Sequence, residues 1–340
     1  MFIEHWVLFL RVKAKGLMLL RRFILVLISL SLLAPTIARA EDEEIIPDPV
    51  PRVAVAYDIG FLGDSSYNDA VHKALEIAKK RYKLVEPFVR EVPTNGTNLD
   101  RLTRLRFLCK SGYTTIITVG SGYRDIVKRV SIEFPRIQFA LVNDKTLGQL
   151  NITNIYFNED QAAYLAGAIA AASSKNKSIA IISPTPSAFE SFKAGAQFSN
   201  KAVRVNSLDY NNDALALNSL LGSVDVVYSM WDKDAKVFQA VISAPKKIWY
   251  VGRTPDQYFS VVKSSQPYLL ATINKDLTKP ISEVVESALR LSALIDVLDD
   301  SGIYGREYNV KSGSLTVTLY PGAPSAAKIK VSSAIARLKR

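Results

Sequence analysis

Short runs of apolar, β-prone residues alternate with helical stretches along most of this chain, which limits the fold to a parallel α/β architecture. The clearest unit opens at Val53-Ala54-Val55-Ala56-Tyr57. This run has no polar face, as a strand buried on both sides requires. Tyr67, Val71, Ala74, Leu75 and Ala78 then recur at helical spacing, so a helix is predicted from Ser65 or Ser66. The same logic places strands at 53–57, 84–89, 114–119, 138–142, 153–157, 178–182, 203–207, 224–229, 247–251 and 268–273. Helices are predicted at 66–82, 98–111, 123–133, 160–174, 187–199, 212–221, 234–243 and 277–298. So many strands exceed one small sheet. They divide near 143–155, where the turn-rich Asn143–Gly148 reads as a hinge. Tyr304–Tyr320 alternates around Lys311-Ser312-Gly313-Ser314 and reads as a hairpin-like piece, and 325–340 as an amphipathic C-terminal helix.

The first forty residues stand apart. Arg21-Arg22, the apolar run Phe23–Leu33 and the small-residue site Ala38-Arg39-Ala40 describe a secretory signal peptide cleaved after Ala40. The acidic, then proline-rich segment 41–51 is expected to be a flexible leader. Six basic groups and one acid leave with the signal, so the net charge falls from +11 to +6. Both signs are interspersed and no aromatic–basic array accompanies them, so no nucleic-acid partner is expected. His5 and His72 are the only histidines, and Cys109 the only cysteine. A histidine-rich zinc site and an intrachain disulfide are thereby excluded, and no metal or cofactor is expected. Cys109 falls in an apolar helical pattern and is read as a buried small hydrophobe.

Ligands of open α/β sheets bind beyond the carboxyl ends of strands, where helix N-termini point. The loop after Val53–Tyr57 holds Asp58, Gly60, Gly63, Asp64, Ser65 and Ser66 before Tyr67 and Asn68. An ordinary loop with Asp64 or Ser65 as an N-cap is the plainer reading. Ser121 follows Thr118-Val119-Gly120, and Asp144 follows Phe139–Val142, so both are candidates by position.

The pattern Asp58-x-Gly60-x-x-x-Asp64-x-Ser66-Tyr67-Asn68 resembles a signature of the basic membrane protein family of bacterial substrate-binding lipoproteins. Phe157-x-Glu159-x-Gln161-Ala162-Ala163-Tyr164-Leu165-Ala166-Gly167, Val251–Gln257 and Thr272–Lys275 are similar to three further family segments, in family order. The resemblance spans roughly residues 52–290 and implies a type I periplasmic-binding-protein fold: two Rossmann-like lobes joined by a hinge, with ligand in the cleft. It divides the chain into a first lobe of 52–150 plus about 274–305 and a second of 151–273 plus about 306–324. It also implies roles: Asp58 and Asn68 bond a nucleoside base, Tyr67 stacks on it where the family usually has Phe, and Asp256 and Lys275 hold the ribose, with Gln257 supporting Asp256. One segment departs. Ser229-Met230-Trp231-Asp232-Lys233-Asp234 stands where the family has a glycine-rich loop beside the sugar, and Trp231 is a candidate stacking face in its place.

The resulting expectation is an exported, monomeric solute-binding protein without catalysis, capturing a nucleoside-like small molecule for an ABC permease complex and meeting the membrane surface only through it. Without a cysteine after the signal, a lipid anchor is not expected. The alternative is an exported sensor or surface binding module of the same fold, with an altered ligand and no transport role.

Overall fold

The computed structural model describes residues 50–231, 235–257, 263–292 and 304–340. The predicted signal peptide and nearly all of the leader lie outside the described residues, as do 232–234 and the end of the predicted helix 277–298.

Two sheets, each six-stranded, make two lobes. The first contains β1 (Val53–Tyr57), β2 (Val89–Val92), β3 (Thr115–Val119), β4 (Gln138–Val142), β5 (Ile152–Phe157) and β11 (Gly305–Tyr308), in the order β11-β5-β4-β3-β1-β2. The second contains β6 (Ser178–Ile182), β7 (Arg204–Leu208), β8 (Val226–Ser229), β9 (Trp249–Thr254), β10 (Leu269–Lys275) and β12 (Leu315–Leu319), in the order β12-β10-β9-β8-β6-β7. Every pairing is parallel except β10 with β12. Central strands β1, β3 and β6 are buried throughout, which explains why their residues are apolar apart from Thr115, Thr118 and Ser178.

Helices cover both faces of each sheet. In the first lobe α1 (Tyr67–Tyr82) and α8 (Thr278–Leu289) pack on one face, and α2 (Asn98–Lys110) and α3 (Arg124–Glu133) on the other. In the second, α4 (Glu159–Ser173), α5 (Pro186–Ser199) and α9 (Ser325–Leu338) lie on one face, opposite α6 (Ala214–Ser223) and α7 (Ala235–Ser243). The C-terminal helix buries Ala327, Val331 and Ala334, a helical repeat of small side chains that lets it lie close against the second lobe.

Three expectations need correction. Ile152–Phe157 was assigned to the second lobe, but it belongs to the first sheet, paired with β4 on one side and β11 on the other. The Tyr304–Tyr320 segment, read as a hairpin within the second lobe, instead spans both lobes. Its first strand pairs with β5 and its second with β10, because alternation reveals which face is buried and not which strand is the partner. Asn143–Gly148 joins β4 to β5 within one sheet, so it is no hinge. The chain changes lobe at Asn158, at 276–277 and at 309–314. These passages are tied together: Asn158 N–H donates to the Tyr308 carbonyl at 3.0 Å, and Asp276 N–H to the Ser314 carbonyl at 2.7 Å.

Candidate functional site

The C-terminal ends of β1, β3 and β4 form one wall of the interlobe cleft. Asp58, just past β1, accepts from Arg101 Nε at 2.9 Å, from the Gly122 N–H at 3.1 Å and from the Ile59 N–H at 2.8 Å. Gly120 and Gly122 make room for this pair. A Cβ at Gly120 would stand 2.5 Å from Asp58 Cβ, and one at Gly122 2.5 Å from Arg101 Cζ. Asp64 caps α1, accepting from the N–H groups of Ser66, Asn68 and Asp69 at 2.8, 3.2 and 3.2 Å, so its charge lies on the positive end of the helix. Asn68 is buried and donates to the carbonyls of Asp58 and Ile59, bracing the loop. A cavity of about 400 Å³ opens here, lined by Asp58, Asp64, Tyr67, Asn68, Ser121 and Asn143 among others.

The opposite wall, beyond β8, β9 and β10, carries a network of ion pairs in which Asp256 borders the same cavity and Glu159 a neighbouring one. Lys275 Nζ lies 2.8 Å from Asp256 Oδ2 and donates to Glu159 Oε1 at 2.6 Å. Tyr67 reaches across from the first lobe: its hydroxyl donates to Asp256 Oδ1 at 3.0 Å and accepts from Lys275 Nζ at 3.3 Å. Ser66 Oγ adds a second link, donating to the Pro255 carbonyl at 2.7 Å. Arg253 donates to the carbonyls of Ser229 at 3.2 Å and Met230 at 2.7 Å, and its Nη1 stands 3.6 Å from Glu159 Oε2. Gln257 donates to the carbonyls of Ser229 and Trp231, and its Oε1 accepts from the Arg253 N–H. The two cations and two carboxylates balance. Burial alone would raise the Asp256 carboxyl, but Lys275 and Arg253 more than offset it and bring its pKa down to about 2. Burial works against the charged Lys275 as well, yet Asp256 and Glu159 leave its pKa above the ordinary lysine value. Burial, then the Asp256 charge, push the Tyr67 phenol well up, so it stays a donor.

The structure therefore gathers Asp58, Tyr67, Asn68, Ser121 and Asp256 around one cavity. Lys275 sits beyond Asp256, engaged with three protein groups. Asp144 lines a neighbouring cavity of about 370 Å³, where Arg124 and Thr146 hold its carboxylate. Trp231 turns away from the first-lobe wall: its ring meets Tyr210 edge-on at 4.5 Å, in the cluster under α6 and α7. Sequence reasoning missed Arg101, Arg253 and Glu159. Arg101 replaces an apolar residue on the buried face of α2 beside Leu102 and Leu105, and that interruption was the available signal. Arg253 is likewise a charge inside the buried strand β9.

Among the described residues, His72, Glu76 and Glu91 have metal-ligand composition, with ligand atoms within 4.8 Å of one another. Their acceptors already face internal donors. Lys79 stands 2.6 Å from Glu76, and the Tyr57 hydroxyl donates to Glu91 at 2.7 Å. Cys109 is buried and its thiol is pushed up to about 12 by burial, which suits an inert packing residue.

Comparison with known proteins gives this geometry a context. Residues 51–294 match the family described as ABC transporter substrate-binding protein PnrA-like. The CD4+ T-cell-stimulating antigen of Listeria innocua is 26% identical over 231 residues, covering 61% of this chain and 63% of the relative, so the match spans less than two thirds of that protein. The ABC transporter nucleoside-binding protein BmpA of Lactococcus lactis is 24% identical over 297 residues, 79% of this chain and 81% of that one. Among solved structures, an ABC transporter solute-binding protein from Conexibacter woesei superposes with a TM-score of 0.63 at 15% identity, over 84% of this chain and 95% of the other. That likeness establishes the fold: a two-lobed α/β solute-binding-protein architecture.

Proposed function

The chain belongs to the PnrA-like family of ABC transporter substrate-binding proteins, and from that premise we propose that it captures a nucleoside-class ligand outside the cytoplasm for an ABC permease complex. The ligand is a heterocyclic base, with or without its sugar. The observation that carries this reading is the cavity of about 400 Å³ bordered by an aromatic ring, by carboxylates whose charge is already balanced, and by amide and hydroxyl groups. Such a wall favours a neutral, flat molecule rich in hydrogen-bond donors. Tyr67 supplies the face on which the base lies, an interaction worth about 1–3 kcal/mol where bases stack on aromatics. Asp58, fixed by Arg101, accepts from base N–H groups, and Asn68 and Ser121 complete the rim. The ligand is bound and released unchanged by a monomer with no cofactor. Among the described residues no helix is long and apolar enough to cross a membrane, and the N-terminal segment serves as the export signal.

A second reading, a binding module without a transport role, is favoured by one feature. The carbonyls of Ser229, Met230 and Trp231 are occupied by Arg253 and Gln257, so this loop offers a ligand little. Mass spectrometry of small molecules released on denaturing the purified protein tests the main reading. A purine or pyrimidine compound at about one per chain is expected. A stoichiometric ligand of another class would overturn it.

A further inference from the structure

Building on that reading of the cleft as a small-molecule site, we infer that its ligand is a sugar-free heterocycle of nucleobase size, because Tyr67 places its own hydroxyl where a ligand hydroxyl would meet the Asp256–Lys275 pair. A carboxylate beside an ammonium offers an acceptor and a donor together, the arrangement that holds an alcohol. Tyr67 uses both: it donates to Asp256 Oδ1 at 3.0 Å and accepts from Lys275 Nζ at 3.3 Å. Lys275 spends a further donor on Glu159 at 2.6 Å. The carbonyls beyond β8 face the position that ligands take in open α/β sheets. Here Arg253 and Gln257 already occupy them. A sugar hydroxyl entering this half of the cleft would have to displace the Tyr67 hydroxyl from both partners and leave that buried phenol unpaired, which offsets the bonds it would form.

The other half is open. Its cavity of about 400 Å³ is bordered by the Tyr67 side chain, Asp58, Asp64, Asn68, Ser121 and, from the second lobe, Asp256. Among the described residues, no lysine or arginine lines it. Arg101 and the N-terminus of α1 already balance Asp58 and Asp64. A neutral ring with edge donors therefore fits this half and requires nothing of the other. Tyr67 is the pivot, with its ring on the open side and its hydroxyl in the packed one.

Titration calorimetry with hypoxanthine and with its riboside, inosine, tests the inference on the purified protein. Hypoxanthine should bind at least tenfold more tightly than inosine. Tyr67→Phe removes a single oxygen and should shift the affinity ratio at least tenfold toward inosine. Inosine binding as tightly as hypoxanthine to the unmodified protein would overturn the inference and leave the small-molecule reading standing. A ratio that does not move in a folded Tyr67→Phe protein would also overturn it. A protein that binds neither of these compounds, nor uracil and uridine titrated in the same way, sinks both the inference and the nucleoside-class reading. Should Tyr67→Phe fail to fold, the comparison on the unmodified protein still decides.

Discussion

Asp58 and Asp256 occupy comparable places, each just beyond the C-terminal end of a parallel strand, each beside a buried arginine and each lining the same cavity, yet Asp256 is the more deeply buried and the more heavily ion-paired. Asp58 answers to a single cation, Arg101, and keeps 16% of its side chain exposed, whereas Asp256 faces Lys275, Arg253 and the Tyr67 hydroxyl and keeps 3%. Asp58 is held by one guanidinium and by the backbone N–H groups of Ile59 and Gly122. Asp256 is held by two counter-charges and a phenol. On the proposed function, the first wall serves recognition, while Tyr67 and Ser66 tie the second wall to the first lobe. The same residue type at equivalent positions takes different work because of what the neighbouring strands bring to it.

The largest expected effect breaks the packed side. Lys275→Ala leaves Asp256 and Glu159 without their ammonium, and stripping one partner from a buried ion pair costs about 3–5 kcal/mol. A urea midpoint barely changed from the parent would mean that water reaches the pair. Next comes Asp58→Asn on the open side. Losing a charged hydrogen bond to a base costs about 1.5–3 kcal/mol, or one to two decades in Kd. Calorimetry should show that loss alongside some destabilisation, since Arg101 loses its partner. If stability falls while affinity holds, Asp58 braces the loop and does not touch ligand.

Acid probes the packed side without mutation. The folded Asp256 carboxyl titrates near 2, below an ordinary aspartate, so its contribution is complete above about pH 4 and is lost as pH falls through about 2. The depression corresponds to about 2 kcal/mol. Lys275 is raised, so its contribution is complete below the ordinary lysine pKa and lost only as pH climbs beyond it. Stability attributable to the pair is thus flat between about pH 5 and 9. The acid decline should shrink in Asp256→Asn, and an identical decline in both proteins assigns it to other carboxylates. The smallest effect is expected for Trp231→Phe. With its ring against Tyr210, it should change ligand affinity less than about twofold, within the range of substitutions away from a site. A tenfold change would bring the ring back into the cleft.

Strands β1, β4 and β6 were legible to the residue, because a strand buried on both faces is written as a nearly continuous apolar run, here with only Gln138 and Ser178 at the starts of β4 and β6 as polar members. The loop from Asp58 to Asn68 was legible as a cavity-lining segment, because its position in a βα unit fixes where it points. Partnership was not legible. Ile152–Phe157 and Gly305–Tyr308 are strands by their own residues, but the sheet each joins depends on contacts with distant segments. Arg101 lies 43 residues from Asp58, and Lys275 lies 116 from Glu159, so neither pair leaves a local pattern. Trp231 could be assigned to a loop, but the direction of its ring was decided by the surface that Tyr210 offers.

The central contrast, a first-lobe wall that receives ligand against a second-lobe wall already occupied, is tested most directly by hydrogen exchange with mass spectrometry, with and without saturating hypoxanthine and, in parallel, inosine. Backbone amides made inaccessible by bound ligand exchange more slowly. The account predicts that protection concentrates in peptides covering 58–70 and 118–124 and that 226–231 changes little. Protection centred on 226–231 and 251–257 would show the ligand against the second lobe and contradict it.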